Sequence, residues 1–208
     1  MERPASVLLI ACGALAREID ALRRHSGWKH LAVDCLPASL HNTPDAIPEA
    51  VRAKLESVRD RYDSVFVAYA DCGTGGRLDA VLTEYGVERL PAAHCYEVFA
   101  GPAPFAALHD EEPGTFYLTD FLVRHFERLV IRGLGLDRHP ELRDSYFGNY
   151  RRVVHLAQSD DPALAARARD CALALKLAFE SHPTGLGPLG DALTAAGTTP
   201  TETTAWKS

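Results

Sequence analysis

Apolar residues in the first half of the chain alternate between short continuous runs and stretches of helical spacing. The run at 7–11 is apolar on both faces, which is typical of a strand buried within a parallel sheet. Strands are also predicted at 31–36, which ends at Pro37, and at 64–70, which is rich in β-branched and aromatic residues. Residues 14–24 and 77–85 instead carry apolar positions three to four residues apart, which predicts amphipathic helices. The sequence therefore predicts strands and helices in alternation from its first residues onward.

The same alternation continues along the rest of the chain. We predict further elements, in order: a helix at 50–61, a strand at 87–93, a helix at 98–108, a strand at 116–118, a helix at 120–132, a strand at 153–156 and a helix opened by Asp161 and Pro162. Strands that alternate with helices require crossover connections. The predicted fold class is therefore α/β, with a mainly parallel sheet flanked by helices in three layers and a helical C-terminal part. We predict one domain over 1–190 and a flexible tail over 191–208.

Composition excludes several classes of protein. The 208 residues are 47% hydrophobic, and 22 basic against 28 acidic residues give a net charge of -6. A basic stripe is absent from the sequence, so we expect no nucleic-acid partner. Apolar runs stay well short of the roughly 18 residues that a membrane span needs, so we expect no membrane partner. A small-molecule substrate is the expected partner.

The N-terminal run Leu9-Ile10-Ala11-Cys12 admits two interpretations. It fits a bacterial lipoprotein cleavage box, but the preceding residues include only Glu2 and Arg3 as charges and therefore lack the usual positive excess. An amphipathic helix follows Cys12, where a lipoprotein has a flexible tether. We therefore predict a buried first strand and a cytoplasmic protein.

Three of the five cysteines follow predicted strands. Cys12 ends the first strand, Cys72 follows the third and Cys95 follows the fourth. Because ligands of parallel α/β sheets bind outside the carboxyl ends of the strands, these thiols are expected to meet at one edge. The number of cysteines is odd and no close pair occurs, which argues against a disulfide framework. Cys171 lies on an apolar helical stripe and is expected to pack in the core.

Three interpretations of these thiols remain open on spacing alone. In the first, Cys12, Cys72 and Cys95 hold a metal centre, either zinc or a [4Fe-4S] cluster, because thiolates are soft ligands. Three protein ligands would leave an open position, as in catalytic sites. Alternatively, one thiol is a metal-free nucleophile, or all three simply fill space beside glycine turns.

A glycine-rich loop surrounds Cys72. A dinucleotide-binding fingerprint would need glycine where Leu78 stands, so that interpretation fails. The loop either presents backbone N–H groups to an anion or lets the chain turn sharply beside Cys72. The expected cofactor-binding positions are Gly13, Gly73, Thr74, Gly75 and Gly76.

Four side chains near the thiols carry proton-transfer or ligand chemistry. His41 lies in a proline-bounded loop after the second strand, Asp71 precedes Cys72, and His94 and Glu97 flank Cys95. Imidazoles and carboxylates serve as general acids and bases or as further metal ligands. We therefore expect these four residues to manage protons or to complete coordination.

Several of these motifs resemble one prokaryotic family, catalogued as domain of unknown function 1638. The resemblance runs over roughly residues 5 to 190 and rests on these segments: 11–15, 40–42, 69–76, 94–97, 116–121 and 147–150. Relatives are often encoded near corrinoid proteins and corrinoid methyltransferases. The resemblance thus implies one-carbon metabolism, in which thiol-ligated zinc activates a thiol for methyl transfer, and a corrinoid protein or methyltransferase as partner.

These observations lead to one expected function and two alternatives. We expect a metal-dependent enzyme that acts on a small, anionic molecule at a three-cysteine site on the C-terminal edge of a parallel sheet. The first alternative is an accessory binding protein in corrinoid-linked methyl transfer. The second is a metal-free enzyme with a cysteine nucleophile and a histidine base.

Overall fold

The computed structural model describes residues 7–198 of the chain. Its strands are β1 (Val7–Cys12), β2 (Leu31–Leu36), β3 (Ser64–Ala68), β4 (Glu88–Arg89), β5 (Thr115–Thr119), β6 (Arg152–Ala157) and β7 (Ala178–Pro183). Its α-helices are α1 (Ala16–His25), α2 (Ile47–Ser57), α3 (Arg77–Tyr85), α4 (Cys95–Ala100), α5 (Pro102–Glu111), α6 (Asp120–Arg124), α7 (Leu142–Phe147), α8 (Pro162–Leu175) and α9 (Gly187–Thr198). Among the described residues, those at 7–98 and 188–198 form one compact unit, and Phe99–Gly187 form a second.

The first unit is built on a four-stranded parallel sheet with the order β2-β1-β3-β4. Every residue of β1 is buried, because strands flank it on both sides and helices cover the sheet. The chain leaves β1 toward β2 on one side and then crosses to β3 on the other. The gap between the carboxyl ends of β1 and β3 is therefore a topological switch point, where open α/β sheets bind ligands.

The second unit contains a three-stranded parallel sheet with the order β5-β6-β7. Helices α6 and α8 pack on β5 and β6 around a core that includes Leu118, Val153 and Leu164. Asp161 accepts hydrogen bonds from the backbone N–H groups of Ala163 and Leu164, so it caps α8 as predicted.

The α/β class, the parallel pairing and the flanking helices are confirmed. The strands form two sheets, whereas the sequence predicted one, and the pattern did not identify β7. The predicted helix at 120–132 is interrupted: α6 ends at Arg124, and Glu127–Ile131 form a π-helical turn. The predicted helix at 98–108 is divided at Gly101, whose φ of 87° ends α4 before Pro102 starts α5.

Helix α9 extends into the region predicted as a flexible tail, and its residues Leu189 and Leu193 are buried. The tail over 191–208 stays a prediction. Residues 199–208 lie outside the described part of the chain. The single domain predicted over 1–190 stays a prediction, since two compact units can still unfold in one step. Within residues 7–198, every helix is too short or too polar to cross a membrane.

Gly13 allows the loop after β1 to approach the end of β2. A methyl group on Gly13 would lie 2.9 Å from the Leu36 carbonyl oxygen and 3.3 Å from the Ala38 amide nitrogen. We expect Gly13→Ala to lower the free energy of unfolding by about 1–3 kcal/mol, because two backbone segments would have to separate. Urea unfolding followed by circular dichroism measures the change.

Gly190 provides the matched control for that substitution. A methyl group there would lie 3.7 Å from Cδ2 of Leu22, an ordinary contact inside α9. Gly190→Ala should leave stability unchanged or raise it by up to about 1 kcal/mol, because alanine favours helix. If both variants unfolded at the same urea concentration as the wild type, the close approach of the two backbone segments would not be the reason for a glycine at position 13.

Candidate functional site

Four predicted site residues lie where successive strands of the first sheet end. Cys12 is the last residue of β1, and His41 lies in the 3₁₀ turn Ala38–Asn42 after β2. Cys72 follows β3 by four residues, and Cys95 begins α4 after β4. Because all four strands are parallel, these residues share the carboxyl edge of the sheet, and Cys12 and Cys72 lie on either side of the switch point.

Cys12 and His41 are in contact. The Cys12 Sγ lies 3.8 Å from Nδ1 of His41 and accepts a hydrogen bond from the Ala14 backbone N–H at 3.3 Å. The same Nδ1 lies 3.2 Å from the Ala38 carbonyl oxygen. Because a carbonyl oxygen only accepts, Nδ1 carries the proton. In the neutral ring Nε2 therefore has a free lone pair, and this buried atom has no hydrogen-bond partner within the described residues.

Backbone hydrogen bonds hold the Cys72 loop against the segment before Cys95. The Asp71 amide donates to the Ala92 carbonyl at 3.0 Å, and the Cys72 amide donates to the Ala93 carbonyl at 2.8 Å. Cys72 has a φ of 50°, a left-handed conformation that is uncommon for residues other than glycine. Burial raises the pKa of the Cys72 thiol, and the nearby backbone N–H of Cys95 partly offsets that rise. The two cysteines are thus neighbours, although they are far apart in sequence.

Burial keeps all three thiols protonated at neutral pH. It raises the pKa of Cys12 to about 12 and that of Cys72 to about 11. The Cys95 residue retains some exposed surface, but its sulfur is surrounded by protein atoms, and burial raises its pKa well above the usual value. The next largest causes are negative charge on Cys72 and then on Cys12, and both raise the pKa of Cys95 further. The three sulfur atoms are therefore close enough to influence one another's ionisation.

The Asp71 carboxylate caps the glycine-rich loop. It accepts hydrogen bonds from Thr74 Oγ1 at 2.6 Å and from the amides of Gly75 and Gly76 at 3.1 and 3.0 Å. Burial alone would raise the pKa of Asp71, but these hydrogen bonds outweigh it and hold the pKa near 2. The Gly75 and Gly76 amides, which the sequence predicted to bind an external anion, therefore already donate to Asp71. Gly73 has a φ of 85°, so it provides the left-handed turn in this loop.

The remaining two predicted residues lie around Cys95. His94 is exposed, and it is close enough to His41 to help burial lower the pKa of that imidazole. Glu97 accepts a hydrogen bond from the Ala93 amide at 2.8 Å, so it caps the start of α4. Catalytic roles for Asp71, His41, His94 and Glu97 stay predictions.

The other two cysteines occupy different surroundings. Cys35 is exposed on β2, and Cys171 is packed in the core of the second unit, as its helical stripe predicted. Within residues 7–198, no group of three or more His, Cys, Asp or Glu side chains has the arrangement of a metal site. The assignment of Cys12, Cys72 and Cys95 as ligands therefore stays a prediction. Binding of a metal ion would require their three sulfur atoms to move closer together.

Two hollows open on the first unit. A shallow depression of about 500 Å³ lies beside the glycine-rich loop and is lined in part by Asp71, Arg89 and Glu97. Arg89 binds Asp79 and two backbone carbonyls, so its charge is already paired. A larger cavity of about 630 Å³ lies at the amino edge of the sheet, where Val7 and Ser64 begin their strands, and no cysteine lines it. The depression shares Asp71 and Glu97 with the candidate site, but no cysteine lines it either.

Sequence reasoning missed Tyr69. Its side chain is completely buried, and its ring stacks on that of His41 with centroids 6.2 Å apart and planes 13° apart. Burial and the neighbouring Cys12 thiol raise the pKa of the Tyr69 hydroxyl. The signal was present: Tyr69 follows β3 directly, as Cys12 ends β1. It was overlooked because an aromatic residue at the end of an apolar run looks like core.

A buried polar network in the second unit was also missed. Asp120 and His155 are each 1% exposed, and the His155 Nε2 lies 2.9 Å from Asp120 Oδ1. The Asp120 carboxylate also accepts hydrogen bonds from the Gln158 backbone N–H at 3.2 Å and from Ser159 Oγ. Arg124 lies 3.6 Å from its other oxygen. Asp120 and Gln158 directly follow β5 and β6, a position that could have identified them.

Comparisons with known proteins give one match. The model of a family described as "Protein of unknown function (DUF1638)" matches residues 35–193, which is more than half of the chain. No curated protein and no solved structure matches the chain. The family match covers His41, Cys72 and Cys95, part of the first unit and all of the second, but Cys12 lies before it.

Proposed function

The chain belongs to the DUF1638 family of proteins of unknown function, and we propose that it is a metal-dependent enzyme acting on a small, anionic molecule. Cys12, Cys72 and Cys95 are the proposed metal ligands, at the carboxyl edge of the first parallel sheet. The proposal is supported chiefly by one observation: three thiols lie at the same edge of the sheet, and one of them, Cys12, contacts His41, whose buried Nε2 has no hydrogen-bond partner within the described residues.

The charges of the thiols favour a bound cation. Burial disfavours each thiolate, and a second thiolate nearby raises the pKa of the first further. A soft cation reverses both effects, because it compensates the negative charges and binds sulfur directly. Zinc and iron–sulfur clusters are the centres that three thiolates fit best.

His41 has the hydrogen bonding of a metal-binding histidine. Such residues commonly donate one ring N–H to a backbone carbonyl, which fixes the tautomer and leaves the other nitrogen for the metal. His41 does this through Nδ1 and the Ala38 carbonyl, and its Nε2 is buried. The lowered pKa of His41, caused mainly by burial, keeps the ring neutral and so preserves the lone pair.

A metal held there would supply Lewis acidity to a bound water or thiol. The protein's own groups have the remaining tasks. Asp71 stays ionised and fixes the loop that carries Cys72. His94 and Glu97 flank Cys95, and the His94 side chain is exposed.

A metal-free cysteine nucleophile is less well supported. The attacking species in such enzymes is the thiolate, and their cysteines have lowered pKa values. Here burial raises the pKa of all three thiols. The His41 Nδ1 that contacts Cys12 already carries a proton, so it is not the base that a Cys–His pair requires.

Metal analysis of the purified protein tests the proposal. Protein prepared without oxygen should contain about one zinc ion or one iron–sulfur cluster per chain. A colourless protein with zinc and a brown protein with iron distinguish the two centres by absorption spectroscopy. Protein that contains no metal and takes up neither zinc nor iron under reducing conditions would contradict the proposal. A single alkylatable thiol of low pKa in that protein would instead support the cysteine nucleophile.

A further inference from the structure

Tyr69 lies next to Cys12 at the edge of the sheet. Ala11 of β1 pairs with Ala68 of β3, so the residues that follow them, Cys12 and Tyr69, are neighbours across the switch point. Side chains at neighbouring positions of parallel strands share one face. Cys12 is 3% exposed and Tyr69 is 0% exposed, so both side chains lie inside the protein.

The Tyr69 hydroxyl is buried without a hydrogen-bond partner in the described part of the chain. Burial is the main cause of the raised pKa of both Tyr69 and Cys12, and a weak interaction of the hydroxyl with the Cys12 sulfur, a poor acceptor, adds to the rise at Tyr69 and opposes it at Cys12. This contact falls outside hydrogen-bond geometry. Proteins pair nearly all buried polar groups, since an unpaired one is destabilising. An unpaired hydroxyl at a ligand-binding edge therefore indicates a partner that the ligand supplies.

The ring of Tyr69 is held in place. It stacks on His41, and His41 is itself fixed by the hydrogen bond from its Nδ1 to the Ala38 carbonyl. The phenol has lost most of its rotational freedom before any molecule binds. A fixed donor costs little entropy on binding, which is the property of a preorganised recognition group.

We propose that Tyr69 is a binding residue whose hydroxyl donates a hydrogen bond to an acceptor oxygen of the molecule bound beside Cys12. The inference depends on the proposed function for one point only, that the edge carrying the thiols is the binding site. It assigns the ligand a chemical feature, an anionic or carbonyl oxygen that is brought next to sulfur. Such an oxygen satisfies a donor that the folded protein leaves unpaired.

The melting temperature of the Tyr69→Phe variant distinguishes a ligand-binding role of the hydroxyl from a role in stabilising the fold. Without ligand or metal, the variant should have a melting temperature equal to or above that of the wild type, because the substitution removes only an unpaired hydroxyl. A hydroxyl that supports the fold would instead lower the melting temperature by about 2–4 °C or more, and that result would overturn the inference. Tyr146→Phe, at an exposed tyrosine of the second unit, is the control.

Binding is measured with acetate and inorganic phosphate as probes. Amide chemical shifts of the metal-free and the zinc-treated protein are followed during titration with each anion. We expect saturable shifts around Cys12 for at least one anion and about tenfold weaker binding by Tyr69→Phe, with wild-type affinity for Tyr146→Phe. Absence of binding to the wild type, or equal affinities for wild type and Tyr69→Phe, would overturn the inference. Failure of the wild type to take up zinc would count against the proposed metal alone, since the metal-free titration still decides the role of Tyr69.

Discussion

Replacing Cys12, Cys72 or Cys95 by serine should in each case leave the protein with only a small fraction of the metal that the wild type contains. A serine hydroxyl is a hard donor that stays protonated at neutral pH, so it cannot replace a thiolate toward zinc or an iron–sulfur cluster. The three thiols influence one another's ionisation, and loss of one therefore changes the whole set of donors. Elemental analysis of protein prepared without oxygen measures the loss.

Two other cysteines serve as matched controls. Cys171→Ala changes a thiol in the core of the second unit, and Cys35→Ser changes an exposed thiol on β2. Both variants should retain wild-type metal. Equal metal content in all five variants would contradict the ligand assignment. Circular dichroism shows whether a variant that has lost its metal is still folded.

Asp120→Ala should be the most destabilising of the substitutions considered. The carboxylate contacts His155 and Arg124 and accepts hydrogen bonds from Ser159 and the Gln158 amide. Removing it leaves the buried His155 and Gln158 amide without their acceptor and Arg124 without its ion-pair partner, and each buried polar group left unpaired costs about 1–3 kcal/mol. Asp144→Ala is the control, because Asp144 is exposed and its ion pair with Arg143 should contribute at most about 1 kcal/mol.

The contribution of Asp120 should also depend on pH. Burial raises the pKa of Asp120, but hydrogen bonds from His155, Ser159 and Gln158 outweigh it, so the pKa in the folded protein is lowered. A carboxylate whose pKa is lower in the folded than in the unfolded protein stabilises the fold fully when the pH is above the unfolded pKa of about 4. This stabilisation is lost as the pH falls from about 4 through the pKa of the folded protein. The difference between wild type and Asp120→Ala in urea unfolding should therefore shrink from pH 6 to pH 3. A constant difference over that range would show that the charge of Asp120 is unimportant.

Local sequence patterns predicted most elements of the first unit. Strand β2 and helix α3 have the predicted ends, because each is bounded by a strong signal: Pro37 after the strand, and Gly76 and Gly86 around the helix. The prediction failed where local signals were weak. Strand β7 contains Glu180, Ser181 and His182, so it lacks an apolar run, and pairing with β6 makes it a strand.

The candidate site was predictable only in outline. Parallel strands place the residues that follow them at one edge, so the meeting of Cys12, Cys72 and Cys95 followed from strand order and spacing. The sequence could not show that the Asp71 carboxylate binds the Gly75 and Gly76 amides, because hydrogen bonds among loop groups depend on their three-dimensional arrangement.

By itself, the sequence determined the α/β class, the parallel pairing and the edge at which the cysteines collect, because these follow from apolar periodicity and chain order. Only the tertiary structure divided the strands into two sheets, since sheet membership depends on contacts between distant segments. It alone also revealed the unpaired Tyr69 hydroxyl and the buried pair of Asp120 and His155. The reason is that burial and hydrogen bonding belong to the folded surroundings of a residue and not to its type.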